Sequence, residues 1–108
     1  MSIMIEQNDG LTIVRILTDS VDALSAKEIE QAAGQLREVT VLDFGKVLFI
    51  NSAGISALLK LVIEARKQGK KLYAINVTAH HRKVFEMVDM LRYMPVTTLD
   101  ELSIGARP

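Results

Sequence analysis

Residues 39–68 read VTVLDFGKVLFINSAGISALLKLVIEARKQ, and the change of period inside this stretch decides the fold class. Val41, Leu42, Asp43 and Phe44 have the length and apolar density of a strand covered on both faces. From Gly54 to Gln68 the apolar residues recur at helical spacing instead. Ile55, Leu58, Leu59 and Val62 form one stripe, and Glu64, Arg66, Lys67 and Gln68 make the last turns polar. Gly69 then supplies a helix stop. Between strand and helix, Asn51, Ser52, Ala53 and Gly54 are small or polar, so a hydroxyl is presented at a helix N-terminus with little bulk to shield it. Leu61 and Ile63 fall outside the stripe; either the helix is buried more deeply than usual or it offers an apolar patch to a partner.

Working outward, Ile3 to Gln7 and Leu11 to Thr18 are Ile- and Val-rich strand candidates separated by Asn8, Asp9 and Gly10, a hairpin signal. In the second of them Ile13, Arg15 and Leu17 alternate with Val14 and Ile16, one face carrying a charge and the other apolar. Ser25 with Glu28 has the spacing of a capping box, predicting a helix from about Ala26 to Leu36. Gly45 to Phe49 is a connector with two apolar anchors, Val47 and Phe49. Beyond Gly69, Lys71 to Val77 reads as a strand, with Asn76 and Thr78 available to cap a helix over Ala79 to Met90. Tyr93 to Thr97 reads as a short strand and Leu99 to Ile104 as a final helical turn or two. The order is ββαβαβαβα. Strands alternating with helices imply an α/β domain with a mostly parallel five-stranded sheet, an N-terminal antiparallel hairpin and about four helices. The loops Asp19 to Leu24, Gly45 to Ala53 and Asn76 to Ala79 should then lie along one edge of the sheet, where partner and ligand sites of such folds usually sit.

A chain of 108 residues is the size of a single domain, residues 1–108. Its 49% hydrophobic and 24% charged residues place it among globular chains, and no apolar run reaches the ~18 residues that span a bilayer. Direct membrane insertion is not expected. The start MSIMIEQNDG lacks the basic and apolar regions of a secretory signal, so a cytoplasmic location is expected. The absence of cysteine excludes disulfide and thiolate chemistry. Thirteen basic residues balance thirteen acidic ones, leaving no electrostatic reason to expect nucleic acid as a partner.

Ser52 has the wrong surroundings for a nucleophile. A catalytic serine of the G-x-S-x-G type needs a histidine base, and here Asn51 and Ala53 flank it while the histidines are the adjacent pair His80 and His81. An enzyme is not expected. One use of this turn is structural: Asn51 or Ser52 caps the helix. A second is phosphorylation, since a phosphate at a helix N-terminus meets the dipole and free N–H groups. Asp19, Asp22 and Asp43 lie nearest the expected edge, but their spacing matches no metal loop and turn or capping duty accounts for them. Adjacent histidines point in different directions and make a poor chelate, so solvent exposure is expected for both. No metal and no cofactor are assigned.

The combination of Val41-Leu42-Asp43-Phe44 with Ile50-Asn51-Ser52-Ala53-Gly54-Ile55, then Gly69-Lys70-Lys71-Leu72, then Asn76-Val77-Thr78 before a helix containing Arg82, Val84 and Phe85, resembles the STAS-domain family along nearly the whole chain. Within it, the chain is similar to the stand-alone bacterial anti-sigma-factor antagonists. The resemblance implies a STAS-like fold and a partner-switching regulator of transcription. Its unphosphorylated form would bind an anti-sigma factor that is also a serine kinase. Phosphorylation of Ser52, which matches the family's phosphoacceptor, would end that binding, and a metal-dependent serine phosphatase of the PPM type would restore it. Asn51, Ser52, Ala53, Gly54, Ile55 and Leu61, with Asp22, form the expected partner-contacting set. Two residues depart from the family pattern: Asn51 stands where aspartate is usual, and Ala53 leaves a single hydroxyl in the turn. The competing reading is a non-switching STAS subunit that docks to a membrane transport complex or another signalling protein.

Overall fold

The computed structural model describes residues 3–8, 10–32 and 36–105. Strands β1 (Ile3–Asn8) and β2 (Leu11–Ile16) are followed by β3 (Ser20–Val21), α1 (Ala23–Ala32), β4 (Val39–Asp43), β5 (Phe49–Ile50) and α2 (Ser52–Lys67). The chain closes with β6 (Lys71–Ile75), α3 (Ala79–Met87), β7 (Val96–Thr97) and α4 (Leu99–Gly105). The main sheet has five strands in the order β1-β2-β4-β6-β7, with β1 antiparallel to β2 and every other pair parallel. A fold of this α/β class follows from the ββαβαβαβα pattern.

Each crossover moves the chain the same way across the sheet, so right-handed connections put α1, α2 and α3 on one face. The period-2 alternation of the strands sorts the core to match. Val14, Ile16, Leu42, Phe44, Leu72 and Ala74 join Ile29 of α1, Leu58 and Leu61 of α2 and Phe85 of α3 in the larger core. Leu11, Ile13, Val41 and Ile75 point to the opposite face and pack with Leu102 of α4. Both faces of β2 are therefore covered: Ile13 is as buried as Ile16, and Arg15 is the one residue of the strand that is not fully buried.

Several local details depart from the sequence expectation. The loops after β2 and β4 pair with each other as a small parallel sheet, β3 with β5, in the register Ser20 with Phe49 and Val21 with Ile50. Helix α1 begins a turn earlier than expected, because Asp22 rather than Ser25 is its cap. The Asp22 carboxylate accepts the N–H groups of Leu24 (3.0 Å) and Ser25 (3.2 Å), and the Ser25 hydroxyl accepts the Asp22 N–H (2.9 Å). At its other end Leu36 lies beyond the helix, and residues 33–35 of the expected span lie outside the described residues. Helix α3 ends at Met87, with Asp89 in the left-handed region (φ 60°) and the Met90 N–H returning to the Phe85 carbonyl (2.8 Å). Its N-cap is Thr78, whose hydroxyl accepts the His81 N–H. His81 itself is buried, against the expectation of exposure, while His80 is exposed.

Candidate functional site

The turn before α2 is built from backbone contacts that few side chains announce. The Leu48 and Phe49 N–H groups both donate to the Asp19 carbonyl (2.7 and 3.0 Å), and the Asn51 N–H donates to the Val21 carbonyl (3.1 Å). These bonds fix the residues before the helix against β3. The first turn of α2 then lies on the β3 backbone at Gly54. A Cβ at that position would stand 2.2 Å from the Val21 carbonyl oxygen and 2.9 Å from its carbon, so only glycine permits the approach.

Asn51 is the N-cap. It has extended backbone (φ −92°, ψ −178°), and its side-chain oxygen accepts the Gly54 N–H at 3.0 Å while its carbonyl accepts the Ile55 N–H at 2.9 Å. This assignment frees Ser52, which is the first residue of the helix and exposed, with no hydrogen bond to its hydroxyl among the described residues. Among the described residues, the Ser52 and Ala53 amides are the donors of this first turn that meet no acceptor. No acidic residue stands in the first turn of α2. Chemically the site is an accessible hydroxyl beside two free N–H groups at the positive end of a 16-residue helix.

The expected contact set divides on burial. Asn51, Ser52 and Ala53 are exposed, and Ile55 and Asp22 are half-buried on the same edge. Leu61 is a correction: at 1% exposure it lies in the main core with Ile29, because α2 packs against α1 as well as the sheet, and it offers nothing to a partner. Its neighbour Ile63 is the exposed residue of the pair, at 53%. Gly54 is buried too and acts by permitting the close approach to Val21. Asp22 is held below the usual carboxylate range, chiefly by the Ser25 N–H, with the Leu24 N–H and the Ser20 hydroxyl adding to it.

Asp43 and Asn76 anchor the edge from below. Asp43 Oδ1 accepts the Gly45 N–H (2.8 Å) and the Asn76 side-chain amide (3.0 Å), and Oδ2 accepts Arg15 Nη1 (2.6 Å). Asn76 therefore braces Asp43 instead of capping α3, and it does so from a left-handed backbone (φ 57°) that asparagine tolerates. Arg15 also bonds Glu6, which is the main reason its guanidinium is held still more firmly protonated than usual. With its carboxylate so occupied, Asp43 is a loop anchor.

Sequence reasoning missed the apolar surface beside this turn. Leu24, at the start of α1, is 83% exposed, and Leu48 and Phe49 are 64% and 67% exposed. Only Val47 serves as the connector's anchor; Phe49 points outward. The signal available was the run of four apolar residues Val47 to Ile50, too long for a connector that buries one of them fully. Because the strand order never reverses, this edge carries no switch-point crevice and presents a surface suited to a macromolecule.

Comparison with known proteins identifies the domain and its fold. The STAS domain model matches residues 2–102. A protein described as an anti-sigma factor antagonist, BtrV of Bordetella bronchiseptica, is 27% identical over 110 residues, covering 98% of this chain and 94% of that one. The phosphorylated form of the Bacillus cell fate determinant SpoIIAA superposes with a TM-score of 0.73 at 19% identity, over 97% of this chain and 99% of that one. A sulfate transporter family protein from Wolinella succinogenes has the same fold, with a TM-score of 0.74 at 16% identity over 90% of this chain and 84% of that one. At those identities the two structures speak to fold alone. No helix among the described residues is long and apolar enough to cross a membrane.

Proposed function

The chain belongs to the STAS domain family, and on that premise we propose that it is an anti-sigma-factor antagonist that works by partner switching. The observation that carries this reading is the Ser52 hydroxyl, exposed and unbonded because Asn51 takes the capping role. In the unphosphorylated state, Asn51, Ser52, Ala53 and Ile55, with Asp22 at the side, dock an anti-sigma factor that is also a serine kinase, and so release its sigma factor. The exposed Leu24, Leu48 and Phe49 extend that surface. The kinase transfers the γ-phosphoryl of ATP to Ser52 Oγ. The change adds about −1.5 to −2 charges and three acceptor oxygens at a turn that carries no charge of its own. The free Ser52 and Ala53 amides and the helix dipole accept the phosphate, so the fold persists while a docking surface made for neutral contacts is lost. A PPM-type phosphatase hydrolyses the ester and restores binding. In this cycle the protein is ligand and phosphorylation substrate, not an enzyme, and it works in the cytoplasm as a signalling phosphoprotein of transcription control.

Affinity of the Ser52 variants for the anti-sigma factor tests the switch. Ser52→Ala keeps binding and Ser52→Glu abolishes it; equal affinities contradict the proposal. The shared fold of the Wolinella sulfate transporter family protein favours one second reading, a non-switching subunit of a membrane transport complex. Recovery of a transporter ATPase instead of a kinase-type anti-sigma factor in a pull-down supports that reading.

A further inference from the structure

We propose that the solvent side of α2, beyond its first turn, docks an amphipathic helix of the anti-sigma factor, one whose apolar row has acidic residues at one end. This rests on Ser52 marking a protein-docking edge, and it says where that interface continues. Ile63 stands eleven residues after Ser52. At 3.6 residues per turn that spacing returns it to within about 20° of the Ser52 direction. Leu59, seven residues after Ser52, falls about 20° to the other side, and Ile55 precedes Leu59 by four. Ile55, Leu59 and Ile63 therefore form one i, i+4, i+8 ridge about 12 Å long. The ridge climbs out of the core: Ile55 and Leu59 are half-buried against it, and Ile63 is 53% exposed.

A lone exposed isoleucine is ordinary on a protein surface, but this one ends a ridge and borders a hollow. The hollow holds about 340 Å³ and is lined by Val62, Ile63, Arg66, Lys67 and Tyr93. An i, i+4 ridge fits the grooves of another helix, whose own side chains the hollow can receive. Charge identifies the kind of helix. α2 carries three cations and one carboxylate, Glu64, which accepts the Gln68 side-chain amide (3.0 Å). Lys60 reaches Glu30 of α1 (3.5 Å), whereas neither Arg66 nor Lys67 has an acidic partner among the described residues. The Arg66 guanidinium lies over the Tyr93 ring, 4.5 Å from its centroid, a contact that orients the group beside the hollow without neutralising it. Apolar ridge, hollow and unpaired cations thus follow one another along α2. Their complement is a row of apolar residues at helical spacing with carboxylates a turn beyond it.

The test is calorimetric affinity for the purified anti-sigma-factor kinase, measured with the full chain and with Ile63→Ser, Arg66→Gln/Lys67→Gln and Ser52→Glu. Ile63→Ser should weaken binding at least about tenfold, a loss of about 1.4 kcal/mol. Arg66→Gln/Lys67→Gln should weaken it by a similar factor at low salt and by less at high salt, because that loss is electrostatic. A photoreactive side chain in place of Ile63 should crosslink to a kinase helix with apolar residues at i and i+4 and carboxylates at one end. Parent affinity in both α2 variants, with binding lost in Ser52→Glu, overturns the proposal and leaves the Ser52 switch standing. Loss in Ile63→Ser and in the double variant, with Ser52→Glu bound like the parent, removes the switch and still assigns the ridge. A double-variant loss that salt does not diminish, or a crosslink to a basic or extended segment, overturns the proposal. A parent chain without affinity for the kinase overturns both.

Discussion

Gly54→Ala tests how the Ser52 turn is held. In an ordinary helix the change from glycine to alanine stabilises by about 1 kcal/mol. Here the new Cβ stands 2.2 Å from the Val21 carbonyl oxygen, and an ordinary carbon–oxygen contact lies about 1 Å further out. The obstacle is backbone, not the tip of a flexible side chain, so α2 must lift from β3. The same Val21 oxygen accepts the Asn51 N–H, and lifting the helix strains the bond that positions the cap. Overpacking of this kind costs about 1–3 kcal/mol, and loss of the hydrogen bond about 1 kcal/mol more. Against the propensity gain, the net expectation is a loss of about 2 kcal/mol. For a domain of this size that lowers Tm by about 8–16 °C. Thermal unfolding followed by circular dichroism reads the stability, and the amide shifts of Ser52 and Ala53 report the displaced turn. A Tm equal to or above the parent's refutes the close-approach argument.

Other substitutions separate the core from the docking surface. Leu61→Ala should cost about 2–5 kcal/mol in urea unfolding because its side chain is buried in the main core. By contrast, Phe49→Ser should leave unfolding within about 0.5 kcal/mol of the parent yet weaken partner affinity; a partner bound equally well would remove Phe49 from the interface. Asn51→Ala removes the acceptor of the Gly54 N–H and should lose about 1 kcal/mol, whereas Asn51→Asp keeps the cap and should melt at or above the parent temperature. Burial, and secondarily the charge of His80, holds the His81 pKa below its ordinary 6.5, so the unfolded chain binds its proton first. The stability from His81 is complete above pH 6.5 and is lost as pH falls toward the folded-state pKa; denaturation between pH 7.5 and pH 5 should show a decline that His81→Phe flattens. For Asp22, whose pKa is lowered, the corresponding loss begins only below 3.8.

The length and apolar density of Val41 to Phe44, and the helical period of Gly54 to Gln68, were enough to place the sheet centre and its main helix, because such segments report which faces are buried. They could not report β3 and β5, two residues each, whose pairing rests on main-chain bonds to Asp19 and Val21 that no side-chain pattern encodes. The Leu61 error has a geometric origin: a helix packed on both a sheet and α1 needs an apolar arc wider than one stripe, and a one-sided reading assigns the excess to a partner. Asp22 and Ser25 show the same limit at α1, where overlapping capping signals a turn apart differ only in which hydrogen bonds form. Ser52 itself was legible as an unshielded hydroxyl. Its freedom was not, since either Asn51 or Ser52 satisfied the sequence rule for a cap, and only the bond from Gly54 to Asn51 decides between them.

The central claim is that Ser52 is the acceptor of a regulatory phosphate, and phosphosite mapping tests it most directly. The protein is incubated with ATP and the anti-sigma-factor kinase recovered bound to it, digested, and analysed by mass spectrometry. The account predicts a single added phosphate on the peptide that contains Ser52, absent from Ser52→Ala, together with release of the kinase. A phosphate mapped to another residue, or a kinase that stays bound to the Ser52-phosphorylated protein, contradicts it.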